Sequence, residues 1–402
     1  MKLKFNISTF YILVWILYNL QGFLPAFFSP IARVLLVVNL AISIYYAFIA
    51  NSKYKLPVYF KGLNLMLVML TIYGIILMID PRPLYAHGVV AIDKFSYLKS
   101  IYLSLLPIYP FYVFTRRGLI NETDVKRWFF VFIPFMIAIY FYRQQQSELA
   151  AMMRGSGREE FTNNAGYMFL AIMPTVAFFK KKPFLQYAFL ALCMLFTLMS
   201  MKRGAIIIGA LCVFVFLYMS TKTVSRSRKG WIFILSVALL AAGYYYVQYM
   251  LNTSDYFNHR VETTMEGYSS QRDVIYSSLW EIFITDLNAL QMLIGSGACA
   301  TLRYIGSYAH NDWLELLINQ GIIGVVAYIF YWICFYKSYR SAKYNPAIML
   351  ALMLLLIITF LKTLFSMSYN DMEFFETMTF GYCLANISTY YEHLDNNPRL
   401  SR

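Results

Sequence analysis

Apolar residues in this chain gather into long, nearly unbroken runs and not into the alternating or 3.6-residue stripes of a soluble fold. Twelve such segments fall at about 8–28, 31–50, 62–79, 97–114, 128–142, 164–179, 184–200, 204–220, 231–251, 313–336, 346–366 and 375–391. A bilayer core about 30 Å thick takes roughly 20 apolar residues per helical crossing. The pattern therefore predicts an all-α polytopic membrane protein: one integral-membrane domain, 1–402, with about 12 transmembrane helices. The N-terminal run, with Lys2 and Lys4 ahead of it and no small-residue cleavage site after it, reads as a retained first span and not as a signal peptide.

Composition sharpens this. The chain is 60% hydrophobic and 13% charged, whereas soluble domains carry about 25% charged residues. A soluble enzyme, a disordered chain and a fibre are all excluded. The net charge of +14 first suggests nucleic acid as a partner. Its distribution argues otherwise. With the N-terminus in the cytoplasm, the inner loops hold 21 of the 34 basic residues but only 4 of the 20 acidic ones, including Lys180-Lys181-Lys182 and the Arg226/Arg228/Lys229 cluster. That is the positive-inside bias of a membrane protein with both termini cytoplasmic. Anionic lipid is the partner it implies, and no nucleic acid is needed. The five cysteines form no C-x-x-C pair, so neither a disulfide framework nor a zinc site is indicated.

One outer loop, 252–312 between spans nine and ten, is polar and about 60 residues long. A loop of that length usually has a task. Within it, Ser270-Gln271-Arg272-Asp273 reads as a capping box, and Ile275, Leu279, Ile282 and Phe283 then share one face. This predicts a short amphipathic helix on the outer membrane–water boundary.

The spans themselves carry almost no charge. Basic residues that defy the inside bias collect at the outer ends instead: Arg143, Arg154, Arg158, Lys202, Arg203, Arg260, Arg272 and Arg303. Singly, each could snorkel to headgroups; several on one face would form an anion site, for which the bidentate guanidinium is well suited. At the end of the long loop stands Tyr308-Ala309-His310-Asn311-Asp312-Trp313-Leu314-Glu315, where span ten begins. His310 is the histidine placed for proton transfer near neutral pH. The same stretch also reads as a helix N-terminus, with Asn311 or Asp312 as the cap and His310 only the residue before it.

The H-N-x-x-L-E-x-L-x-x-x-G-I-I-G pattern at 310–324 resembles the signature of the O-antigen ligase and polymerase family, bacterial integral-membrane glycosyltransferases of the C type (GT-C). Further elements match in the family's order. Asn163-Asn164 resembles its Asn-rich element, with the proline replaced. Ser200-Met201-Lys202-Arg203-Gly204 resembles its S-x-x-R-G element, Arg272 its loop-helix arginine, and Gly295-Ser296-Gly297 the G-x-G that follows. The motifs span roughly 155–335.

The resemblance implies a periplasm-facing enzyme in the bacterial inner membrane that takes a glycan from undecaprenyl diphosphate. A polymerase would pass it to a growing O-antigen, capsule or exopolysaccharide chain; a ligase would pass it to the lipid A core. It further implies His310 as the base toward the acceptor hydroxyl, and Arg203 and Arg272 as clamps on the departing diphosphate. Asn311, Arg158 and Asn164 are then substrate-binding candidates. The chain has no D-x-D pair, so no metal and no cofactor are expected, and the anomeric configuration would invert. A chain-length regulator or other polysaccharide-assembly proteins are the protein partners implied. A different class of reading is a transporter or flippase for the same lipid-linked sugar, for which Lys99 and Lys362 are the basic residues well inside spans.

Overall fold

A computed structural model describes residues 6–20, 29–86, 90–153, 163–223, 229–266 and 272–396. The described chain is helical throughout apart from one two-stranded hairpin. Helices α1 (Ile7–Leu20), α2 (Ser29–Lys53) and α3 (Tyr59–Ile79) are followed by β1 (Tyr85–Ala86) and β2 (Val90–Ala91), then α4 (Phe95–Leu105), α5 (Ile108–Arg116) and α6 (Glu122–Met153). Next come α7 (Gly166–Ile172), continued by a 3-10 stretch to Phe179, then α8 (Pro183–Met199), α9 (Arg203–Thr223) and α10 (Lys229–Thr253). Short helices α11 (Asp255–Met265), α12 (Arg272–Glu281), α13 (Ala289–Ile294) and α14 (Ala300–Ile305) precede α15 (Asp312–Ser341), α16 (Pro346–Phe365) and α17 (Phe374–Asn396).

Among the described residues, seven helices are long and apolar enough to cross a membrane: Pro30–Lys53, Tyr59–Ile79, Glu122–Leu149, Arg203–Thr221, Lys229–Thr253, Asp312–Tyr344 and Pro346–Phe365. Ile7–Leu20, Gly166–Phe179 and Pro183–Met199 are apolar but shorter. Two predicted runs are not single α-helices. The run 97–114 breaks between α4 and α5 at Leu106-Pro107, because proline has no N–H to give to the helical ladder. The run 164–179 tightens to 3-10 geometry where Pro174 enters. By contrast, α6 extends well past the predicted 128–142. It starts at an Asn121 cap, whose Oδ1 accepts from the Thr123 and Asp124 amides at 2.8 and 3.1 Å.

The bundle is knit by close approaches at small residues, as membrane helices require. A Cβ on Gly62 of α3 would lie 2.8 Å from the Tyr331 Cα of α15, and one on Gly381 of α17 would lie 2.6 Å from the Phe111 Cβ of α5. Around these contacts the core is aromatic: Tyr11, Phe111, Phe114 and Phe374 meet with centroids 4.9–6.4 Å apart. Helix α10 stands apart, with Ile232 its buried residue, and the space between it, α8 and α9 is an apolar cavity of about 680 Å³.

The two ends of the bundle differ. One carries Lys55, paired with Asp395 at 3.0 Å, and Arg116, paired with Glu392. The other carries α11–α14 from the long loop. There the predicted amphipathic helix exists as α12, but its apolar face is not turned outward. Leu279 and Phe283 pack with Ala300, Ala309 and Ile318 in a small second core over α14 and α15. Burying that face against protein removes it from water as effectively as lipid would. The same end holds a break in α15. Gly321 has φ +67°, which frees the Ile318 and Asn319 carbonyls to accept from the Ser296 and Gly297 amides at 2.9 and 3.0 Å. The Gly295-Ser296-Gly297 turn is therefore a seam against α15: a Cβ at Gly295 would sit 2.2 Å from the Asn319 carbonyl oxygen.

Candidate functional site

The start of α15 is held from three sides. Asn311 caps it, its Oδ1 accepting from the Trp313 and Leu314 amides at 2.9 and 3.2 Å. Asp312, fully buried, accepts from the Tyr328 hydroxyl at 2.6 Å and from the Ser368 and Tyr369 amides at 3.0 and 3.3 Å, so it pins the α16–α17 connection. Glu315 accepts from the Thr301 hydroxyl (2.7 Å), the Ala309 amide (2.8 Å) and Asn319 Nδ2 (2.9 Å), which pins α14 and the segment leading to His310. Each neighbouring polar side chain of the motif is thus committed to architecture. His310 is presented between the two pinned segments, exposed, with φ +52° in the left-handed region. Asn311 therefore acts as the cap. Asn311→Ala is expected to lower stability by about 1 kcal/mol, read as a small drop in melting temperature in detergent.

Arg203 opens α9 after a tight turn in which Met201 takes φ +53°. Small residues bring this turn close to its neighbours. A Cβ on Gly166 would meet Ser200 Oγ at 2.2 Å, and one on Gly204 would meet the Tyr167 hydroxyl at 2.8 Å. Arg203 Nη2 donates to Thr263 Oγ1 of α11 at 3.1 Å. Of the Asn163-Asn164 pair, Asn163 is buried and structural: its Nδ2 donates to the Tyr140 carbonyl (3.0 Å) and its Oδ1 accepts from the Ala165 amide (2.9 Å). Asn164 is exposed at the same end.

Arg272 is the first residue of α12 and half-buried. One turn on, the Tyr276 hydroxyl lies 3.5 Å from both the His310 carbonyl and the Leu364 carbonyl. The Arg272 and Lys362 charges both bear on the Tyr167 hydroxyl, the group that touches Gly204 beside Arg203, and Lys362 Nζ stands 5.5 Å from the Tyr167 ring centre. Arg203, Arg272 and His310, spread over more than 100 residues of sequence, therefore lie at the same end of the bundle, Arg203 next to the Gly204–Tyr167 approach and Arg272 one turn before the tyrosine that reaches the His310 carbonyl. No family model matches this chain, and no curated protein matches it.

Both arginines open helices of more than two turns, so the positive end of each helix dipole adds to their attraction for an anion. The buried charged residues at this level are Asp312, Glu315, Lys362 and Glu376. Lys362 pairs with Asp371 at 2.8 Å. Burial pushes the Glu373 carboxyl up, and Asp371 adds to this, while Lys362 and Arg143 oppose it. Among the described residues no group of three or more His, Cys, Asp or Glu is arranged to hold a metal ion. Arg158 lies outside the described residues. Tyr167, Tyr276 and the Lys362–Asp371 pair went unrecognised as parts of this cluster in the sequence. The i, i+4 spacing of Arg272 and Tyr276 was the available signal for one of them.

Proposed function

We infer that the chain is a membrane glycosyltransferase that moves a glycan from undecaprenyl diphosphate onto an acceptor glycan, as a repeat-unit polymerase. The observation that supports this reading is the position of two helix-opening arginines and an exposed histidine at one end of the bundle. A diphosphate leaving group gathers negative charge as the glycosidic bond breaks. Arg203 and Arg272 supply bidentate donors for it, and their helix N-termini reinforce the field. The acceptor hydroxyl, far too weak an acid to ionise alone at neutral pH, loses its proton to His310 as it attacks. Attack from the face opposite the diphosphate inverts the anomeric carbon.

Two further features support a lipid-borne donor. The apolar cavity between α8, α9 and α10 includes Ile206, one turn into the helix that Arg203 opens, so a polyprenyl chain there would leave its phosphates near that arginine. The apolar segments and the charge bias fit twelve crossings of a bacterial inner membrane, with both termini cytoplasmic and the reactive end periplasmic. A polymerase fits better than a ligase because no separate surface for a lipid A core is identified among the described residues.

A flippase for the same lipid-linked sugar needs charge along a path through the membrane. The buried charged residues among the described ones instead lie near one end: Asp312 and Glu315 in the opening turns of α15, Lys362 in the last turn of α16, Glu376 in the first turn of α17. The deciding experiment supplies purified protein in detergent with lipid-linked donor and either repeat-unit or lipid A core acceptor, without ATP or nucleotide sugar. Longer glycan on the repeat-unit acceptor supports the polymerase, transfer to the core supports the ligase, and no product from either counts against both.

A further inference from the structure

A second cavity, this one polar, lies beside the reactive end. It has a volume of about 490 Å³ and is lined by Arg82, Pro83, Tyr85, Leu302, Arg303 and Gly306, a size within the roughly 300–1,000 Å³ of small-molecule sites. Its walls come from the segment between α3 and β1, from β1 and from α14 with the glycine that ends it. They are held together by Asp80, to which Arg82 donates from Nη2 at 2.8 Å and Arg303 from Nη2 at 2.6 Å. The hairpin is braced in turn, with the Ile92 amide donating to the Leu84 carbonyl at 2.8 Å and Tyr85 opposite Ala91.

Two guanidinium groups share a single carboxylate here, so one positive charge is left over. Among the described residues Arg303 Nε is buried with no hydrogen-bond partner, a donor whose desolvation no described group repays. Tyr85 leaves 44% of its surface exposed, and with Pro83 and Leu302 it gives a flat apolar wall next to the charged groups. Planar donors beside an exposed ring suit a sugar that carries a carboxylate: the ring takes the apolar sugar face and the guanidinium forks take the acid. Gly306 precedes His310 by four residues, so their Cα atoms are at most about 14 Å apart. A chain seated in the cavity can reach the histidine within a few sugar units.

We propose that the cavity between Arg82 and Arg303 is a saccharide subsite that holds a uronic-acid-bearing acceptor chain next to His310. The acceptor role rests on the glycosyltransferase reading; the binding itself does not. The test therefore uses no donor and no turnover. Binding of tri-galacturonic acid and of maltotriose to the purified protein in detergent is measured by saturation-transfer NMR, with anionic phosphatidylglycerol micelles as competitor. The charged trisaccharide is expected to bind at least about tenfold more tightly than maltotriose, and Arg82→Ala and Arg303→Gln are each expected to weaken it about tenfold or more. Arg82 is 69% exposed, so its variant folds even if Arg303→Gln does not. Equal binding of the two sugars, absence of binding, unchanged binding in Arg82→Ala, or displacement by phosphatidylglycerol would each overturn the proposal. Saccharide binding with no glycan transfer in the donor assay would leave this subsite standing and remove only its acceptor role.

Discussion

Purified His310→Ala protein is expected to lose glycan transfer by about 10²–10⁴-fold, the range that a positioned general base contributes, while still binding the lipid-linked donor. The surroundings of His310 make the result readable. Asn311, Asp312 and Glu315 pin the segments on either side of it, and the histidine is exposed, so its removal leaves those anchors in place. The left-handed backbone supplies a control. Alanine at φ +52° keeps a strain of about 1–2 kcal/mol, whereas glycine adopts that conformation freely. His310→Gly should therefore melt at or above the temperature of His310→Ala yet be equally inactive. Wild-type turnover in either variant removes His310 from the chemistry and leaves the residue a helix-start element only.

The second large effect concerns the arginine pair. Arg203→Lys and Arg272→Lys each keep one positive charge but lose the bidentate fork. Each is expected to lower kcat by about 10²-fold, within the range for loss of one transition-state donor. Their double variant is the sharper measurement. If both hold one diphosphate, the first substitution already spoils its geometry, and the second then costs less than it does alone. A coupling of about 1 kcal/mol or more is expected from the cycle. Strict additivity would mean that the two groups act on different phosphates or that one is remote. Since Arg203 also donates to Thr263, Thr263→Val tests how far that contact aims it. A few-fold loss of kcat is expected there, with little change in KM.

The sequence alone reached the membrane class and the apolar segments, because burial in lipid demands uninterrupted apolar runs whatever the tertiary partners are. It did not reach the interruptions. The α4–α5 break and the 3-10 end of α7 depend on Pro107 and Pro174, yet Pro134 sits inside α6 without ending it. Neighbouring helices decide which proline a membrane helix tolerates. The same applies to α12. Its amphipathic face was legible from Ile275, Leu279, Ile282 and Phe283, but periodicity says only that a face is apolar and not what covers it. The cover is α14 and α15.

At the candidate site, sequence supplied the residue types: arginines where the charge bias disfavours them, and a histidine before a long helix. It left open whether Asn311 or Asp312 is the cap; the geometry gives the cap to Asn311 and turns Asp312 inward as a clamp. Only the packed bundle brings Arg203, Arg272 and His310 to one end. Tyr276 reaches the His310 carbonyl, Lys362 stands over Tyr167, and glycines let α9 approach its neighbours. Contacts between residues more than 100 positions apart are set by helix packing, and packing leaves no periodic trace in the chain.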